Sequence, residues 1–377
     1  MNLARVDLRR TLVVFALSLL LCVRAVAADV DGPYVMRSAT GGLESWSVET
    51  AADGPHKRVQ ALGANASVTI PAVDTLPSFT AKLRGPAEVA PDEVTVSARS
   101  PLFVVADTHG EFAILALMLQ KHRVVDAKLH WSFGRGHLVI LGDVFDRGAH
   151  QTEILWLIYA LEAEARKSGG GVHLVLGNHE AMALHGDLRY LNPKYRLTAQ
   201  VLGVSSYEQL FSADSVLGQW LRTKPAMIKV NDLLCLHGGV SKELIERGLT
   251  LSQVNSTIRA ILDERAFISR DEIGRAEFLS GQSGPLWYRG YFAGDWGPAE
   301  ATADDIRRIR EYFGVSRILV GHTRVPTITP LYAGEVIAVQ VYPQRDADAV
   351  VHFEALLIRD GRLWRAKPGG EIEALLP

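Results

Sequence analysis

The sequence predicts an α/β catalytic domain with a small β-rich N-terminal addition, and three observations predict it. Apolar, β-branched runs recur from residue 101 onward, helical stretches separate several of them, and most end in a polar residue beside glycine. Continuous apolar runs are the mark of buried parallel strands, and strand, loop, helix, strand is the order of a crossover unit. Ligands in such sheets gather beyond the carboxyl ends of the strands, which is where this chain places its Asp, His and Asn residues. A length of 377 residues suits one large domain with additions. With 48% hydrophobic and 22% charged residues it can bury a sizeable core, which excludes disorder, collagen and coiled coil as descriptions of the whole. Forty basic residues against 42 acidic ones give a net charge of −2, so no bulk positive field points to nucleic acid, and any anion site must be local.

In chain order, residues 1–27 read as a signal peptide. Arg5, Arg9 and Arg10 precede an apolar run from Leu12 to Val23, and Ala25-Val26-Ala27 supplies the small residues of a cleavage site. That run is too short to span a bilayer, so no stable membrane anchor is expected, and the mature protein should be exported, periplasmic or secreted. Cleavage after Ala27 removes four arginines and one aspartate and moves the net charge from −2 to −5. It also removes Cys22 and leaves Cys235 alone, so no internal disulfide can form and the core must suffice. Cys235 lies in the apolar run LLCLH and is expected to be a buried, inert thiol.

Residues 28–98 contain short alternating pieces such as SWSVET, ASVTIPAV and SFTAKLR between Gly- and Pro-containing breaks, a β-rich unit. GPAEVAPDEV resembles a connector, and packing or partner recognition is the expected role of the whole stretch. From residue 99 the catalytic domain runs to 377. Its strand candidates are 101–107, 137–143, 172–178, 233–239 and 317–323, with EFAILALMLQKH and QTEILWLIYALEAEARK as crossover helices. Residues 180–225 are more helical and suggest a cap beside the site. The tail returns to strands, with Asp360-Gly361 as a hairpin turn.

Five polar clusters close the strands: Asp107-Thr-His109-Gly110, Gly142-Asp143-Val-Phe-Asp146-Arg147-Gly148, Gly177-Asn178-His179-Glu180, His237-Gly-Gly239 and Gly321-His322-Thr323. One such cluster is a weak signal, whereas five at buried strand ends would leave many polar groups unpartnered unless they share a task. The task they suit is a pair of cations. Asp107 and His109 can face one of them, Asp143 can bridge both, and Asn178, His237 and His322 can serve the second. Mixed oxygen and nitrogen donors suit manganese, iron or zinc. Two such cations would acidify a shared water to hydroxide for in-line attack on phosphorus. His179, next to Asn178, can then protonate the leaving alkoxide, with Asp146 fixing its tautomer, and the Arg147 guanidinium matches phosphoryl oxygens.

The constellation resembles the phosphoprotein phosphatase branch of the calcineurin-like metallophosphatases, and GDVFDRG with GPLWYRG (284–290) is most similar to the bacterial Shewanella-like protein phosphatases. The resemblance covers about residues 100–343. It implies a sandwich of two β-sheets flanked by helices. It also implies a dinuclear centre held by Asp107, His109, Asp143, Asn178, His237 and His322, with His179 and Asp146 as proton donor pair and Arg147 on phosphate. A phosphorylated protein or peptide, bearing Ser/Thr or Tyr phosphate, is the implied substrate. Ala106 replaces the usual glycine of the first motif, and Leu176 stands before GNHE where the eukaryotic enzymes have Arg. Arg289 is the candidate second phosphate-binding arginine, because it lies in a Gly-flanked aromatic loop between His237 and His322.

Other readings share these residues. A dinucleoside polyphosphate hydrolase or a phosphodiesterase of the same superfamily uses related motifs, although many diesterases end in Gly-His-x-His and this chain has Gly321-His322-Thr323-Arg324. A silent phosphate- or metal-binding module would typically have lost the acid or a ligand, and here all are present. His137 and His173 open apolar strands and read as packed residues. His185, Asp187 and Arg189 read equally as a helix-capping cluster or as substrate contacts, and Arg324 equally as a phosphate ligand or an ion-pair partner. Trp287 and Tyr288 read as core aromatics.

Overall fold

Short alternating segments broken by glycine form antiparallel hairpins at the start of the chain. A computed structural model describes residues 31–63, 65–294 and 299–376, so the expected signal peptide lies outside the described residues. β1 (Asp31–Arg37), β2 (Leu43–Ala51) and β3 (Gly54–Leu62) make one antiparallel sheet, and β4 (Ser67–Ile70) pairs with β5 (Phe79–Lys82). The sheet is asymmetric in burial: β3 faces solvent, while β1 is buried along almost its whole length. Tyr34 and Val35 join the same apolar core as the rest of the chain, and Trp156 Nε1 donates to the Pro33 carbonyl at 2.8 Å. The connector carries β6 (Glu93–Val94) at its end, which adds to the second large sheet as a parallel edge strand.

The next run begins the crossovers. β7 (Leu102–Val105), α1 (Phe112–Lys121), β8 (His137–Ile140), α2 (Gln151–Lys167) and β9 (Gly171–Leu174) place three parallel strands side by side, with β7 and β8 wholly buried. Each strand is shorter than its apolar run because the backbone turns out of the sheet before the polar cluster. The run 172–178 shows this most clearly, since Asn178 already opens α3 (Asn178–Leu184). α4 (Pro193–Leu202) and α5 (Val216–Arg222) complete the helical segment expected over 180–225.

β10 (Met227–Val230) and β11 (Leu233–Leu236) form a hairpin, followed by α6 (Lys242–Glu246), α7 (Leu251–Leu262), α8 (Arg270–Ser280) and α9 (Ala303–Phe313). β12 (Arg317–Val320) then lies parallel to β11, and β13 (Thr329–Leu331) and β14 (Val336–Ala338) extend that sheet. A small pair, β15 (Gln344–Arg345) and β16 (Val351–His352), precedes β17 (Ala355–Arg359), β18 (Arg362–Ala366) and β19 (Ile372–Ala374). Asp360 and Gly361 join β17 to β18 with φ of 53° and 73°, the two left-handed residues that a tight hairpin requires. Two six-stranded sheets result, ordered β19-β18-β17-β7-β8-β9 and β13-β14-β12-β11-β10-β6. They form the β-sandwich, flanked by helices over one continuous core. Cys235 sits in that core unpaired, and burial pushes its thiol up to about 12. Among the described residues no helix is long and apolar enough to cross a membrane.

Candidate metal centre

Five strand ends converge on one buried point. β7 delivers Asp107 and His109, β8 delivers Asp143, β9 leads to Asn178, β11 to His237 and β12 to His322, all of them under 9% exposed. Asp107, His109, Asp143 and His322 have φ of 38°, 42°, 54° and 61°, a left-handed twist that turns each side chain off its strand toward the centre. Glycine is needed where these turns touch. A Cβ on Gly177 would stand 2.1 Å from Asp143 Oδ1, and one on Gly148 would stand 2.4 Å from the His109 carbonyl oxygen.

Asp143 is the hub. Its Oδ2 lies 3.2 Å from His237 Nε2 and 3.8 Å from both His109 Nε2 and His179 Nε2. Two buried triads share it, His109–Asp143–His179 and Asp143–His237–His322, with the donor atoms of each within 4.8 Å of one another. Asn178 Oδ1 is 2.9 Å from His237 Nε2, and Asp107 Oδ1 accepts the His322 N–H at 3.1 Å. Asp107 thus lies beside His322 of the second triad, and His179 lies with His109 and Asp143 in the first.

Backbone carbonyls fix the tautomers. His109 Nδ1 donates to Phe145 O at 2.9 Å, His237 Nδ1 to Leu141 O at 2.7 Å, and His322 Nε2 to Trp287 O at 3.1 Å. Each ring therefore turns its other nitrogen to the centre, where it offers a lone pair once a bound cation displaces any proton there. Three such lone pairs around a shared carboxylate are a donor set for cations, and the residues present fit a pair of divalent or trivalent ions. Electrostatics agree in sign. Burial opposes charge on His237, yet Asp143 and Asp107 outweigh it and push the imidazole up to about 9. Burial also works against ionisation of Asp143, and His237 and His179 overcome it, holding that carboxyl well below its usual range. The centre attracts positive charge.

His179 differs from the three tethered rings. Its Nδ1 faces Asp146 Oδ2 at 2.6 Å, leaving Nε2 toward the centre. Burial works against its charged form, but Asp143 and the Asp146 hydrogen bond raise its pKa above the ordinary value. Arg147 follows with φ 67° and an exposed side chain. Its guanidinium lies 5.4 Å from the Tyr190 ring and 5.9 Å from the Tyr342 ring, so two phenols flank the mouth. Half-buried Arg289 is close enough for its pKa, lowered first by burial, to be raised in part by Asp143 and Asp107.

The structure therefore gathers all ten residues chosen from the sequence around one centre. It also supplies residues that sequence reasoning missed. Glu180, the last letter of GNHE, accepts Gly177 N at 2.7 Å, Asp143 N at 2.8 Å and Val144 N at 2.7 Å, tying two ligand loops together. Its place in the quoted motif was the available signal. Tyr190 and Tyr342 carried none. His137 stacks on His173 at 5.2 Å beside a separate cavity of about 790 Å³, and His185, read equally as a cap or a substrate contact, hydrogen-bonds the carbonyls of Ala181 and Ile261. Arg189 pairs with Asp187, Tyr288 is buried, and exposed Arg324 lies 5.0 Å from the Tyr342 ring.

The geometry has known counterparts. Residues 100–326 match the family model of calcineurin-like phosphoesterases. Shewanella-like protein phosphatase 1 of Plasmodium berghei is 27% identical over 238 residues, covering 60% of this chain and 62% of that one, so the chain spans less than two thirds of that relative's length. Shewanella-like protein phosphatase 2 of Arabidopsis thaliana is 33% identical over 93 residues, 25% of this chain and 24% of that one. Among solved structures, a cold-active protein tyrosine phosphatase is 34% identical, with a TM-score of 0.78, over 93% of this chain and 98% of that one. The cold-active protein-tyrosine phosphatase of a psychrophilic Shewanella species gives 32% and 0.77 over 92% and 100%. The chain belongs to the calcineurin-like phosphoesterase family, with Shewanella-like protein phosphatases among its relatives.

Proposed function

We propose that the protein is a metal-dependent phosphomonoesterase acting on phosphorylated protein side chains, phosphotyrosine among them. The observation that carries this reading is the convergence of tautomer-fixed lone pairs on Asp143 with Arg147 at the mouth. Asp107, His109, Asp143, Asn178, His237 and His322 would hold two ions, for which manganese, iron or zinc suits the donor set. Such ions, when bound, acidify water and polarise phosphoryl oxygens. The chain's own residues do the rest. Arg147 and Arg289 neutralise a dianionic phosphoryl group. His179 Nε2, with Nδ1 held by Asp146 at 2.6 Å, delivers a proton to the leaving oxygen. Tyr190 and Tyr342 flank Arg147 with aromatic faces that suit the ring of phosphotyrosine, and the solved relatives named as tyrosine phosphatases support the same reading.

The test uses the purified protein with Mn²⁺. The kcat/KM for p-nitrophenyl phosphate should exceed that for bis-p-nitrophenyl phosphate by about 10²-fold or more, since each lost charged contact is worth a few kcal/mol. Phosphotyrosine peptides should be hydrolysed alongside it. Comparable rates on monoester and diester would favour the phosphodiesterase reading.

We further propose export to the periplasm or beyond, on the strength of the Arg-rich start, the apolar run and Ala25-Val26-Ala27. N-terminal sequencing of protein from a Gram-negative host should find Ala28 or a residue within one or two of it, and intact Met1 in the cytoplasm would overturn this.

A further inference from the structure

The loop carrying Asp146 and Arg147 holds both residues at left-handed φ, 71° and 67°, and needs support to stay there. Much of it comes from below. Gln151, fully buried at the start of α2, accepts the Asp146 N–H at 2.7 Å through Oε1 and donates to Tyr207 Oη at 2.8 Å through Nε2. Tyr207 Oη lies 3.3 Å from Tyr34 Oη, which donates to Asp31 Oδ2 at 2.8 Å. Asp31 and Tyr34 belong to β1.

The chemistry of the groups gives this path a direction. Tyr34 donates to Asp31 Oδ2, so its oxygen accepts from Tyr207, alongside Thr152 Oγ1 at 3.2 Å, and Gln151 Nε2, which only donates, points to Tyr207. The amide oxygen is then left facing Asp146 N. Reversing the amide would set its NH₂ against a buried N–H and leave Tyr207 without its donor. The same Asp31 lies 3.2 Å, through Oδ1, from Lys194 Nζ, which donates to the Ala149 carbonyl of the same loop at 2.8 Å.

We propose that β1 is a positioning element for the proton donor: Asp31 orients a hydroxyl relay through Tyr34 and Tyr207, the relay locks the Gln151 amide, and Gln151 holds Asp146 beneath His179. This gives the N-terminal addition a part in the reaction, and it rests on the reading of His179 as general acid.

A misplaced acid harms poor leaving groups most, because a good one departs without a proton. Gln151→Met keeps volume and removes both polar contacts. Tyr34→Phe keeps the ring, 6.2 Å from Tyr207 and 5.9 Å from Phe211, and breaks the relay. In the metal-loaded full-length protein, Gln151→Met should lower kcat for phenyl phosphate about tenfold while KM is unchanged and kcat for 2,4-dinitrophenyl phosphate falls less than about twofold. Tyr34→Phe should repeat the pattern more weakly, and it decides the matter if Gln151→Met does not fold. Equal losses on both substrates, or none, would overturn the proposal. Should the unmutated protein hydrolyse neither ester, the phosphatase reading has failed instead. The positioning claim is then read from the hydrogen-bonded Nδ1 proton of His179 by NMR, which must exchange faster in both variants if the claim holds and unchanged in both if it does not.

Discussion

Replacing Glu180 by glutamine changes one atom and should cost the protein much of its stability. The carboxylate is wholly buried, and its Oε2 accepts Gly177 N and Asp143 N while Oε1 accepts Val144 N at 2.7 Å and Phe145 N at 3.3 Å. Whichever way the new amide turns, its NH₂ meets two backbone donors. Two buried N–H groups lose their acceptor, at about 1–3 kcal/mol each, so Glu180→Gln should destabilise the fold by about 2–6 kcal/mol. That is a large part of the roughly 5–15 kcal/mol available to a domain. Denaturant unfolding at neutral pH measures it, and metal content should fall in parallel because the four donors lie on the loops of Asp143 and Asn178. Burial and the Asp143 charge both raise the Glu180 pKa, while the backbone donors oppose them. A protonated Glu180 would resemble the amide and lose little. A loss below about 1 kcal/mol would therefore refute the carboxylate clamp.

His179→Ala should reduce kcat by about 10²-fold or more with metal content near two per chain, whereas loss of one ion would make His179 a ligand, as its place in the first triad allows. Arg147→Ala should narrow the gap between p-nitrophenyl phosphate and its bis ester by harming the monoester more, and an unchanged ratio of kcat/KM would remove Arg147 from phosphate binding. Glu153, raised mainly by burial from 4.5 to about 7, makes the folded state bind more protons than the unfolded one between those values. Its contribution is complete below the lower value and is lost as pH rises through the upper, so Glu153→Gln should flatten the fall of stability across that window, by up to about 3 kcal/mol in chemical denaturation.

The strands and the polar clusters were legible because both are local. A buried parallel strand needs an unbroken apolar run, and a ligand must sit where that run stops, so LVILGD and LVLGN carry fold and chemistry in a few letters. The hairpin at Asp360-Gly361 was legible for the same reason. What escaped is long-range. Tyr34 and Tyr207 are 173 residues apart and neither lies in a motif, and nothing in the sequence of β1, DGPYVMR, distinguishes it from packing. Tyr342 reaches the mouth from a segment expected only to form strands.

Direction at those strand ends comes from backbone strain. Of the ten site residues, Asp107, His109, Asp143, Asp146, Arg147 and His322 have left-handed φ without being glycine, at roughly 1–2 kcal/mol each. The sum, roughly 6–12 kcal/mol, rivals the net stability of a domain, so the turns persist only because their surroundings over-determine them. The hydrogen bonds show how. His109 N donates to Asp143 O, Gly110 N to Val144 O, Gly148 N to His109 O and Arg147 N to Tyr190 O, lacing the strained loops to one another at 2.9–3.0 Å. A strand that simply ended would send its next side chains alternately to the two faces of the sheet. The left-handed turn sends them beyond its end instead, and it does so at three of the five strand ends that meet at Asp143, those of Asp107 and His109, of Asp143 and of His322.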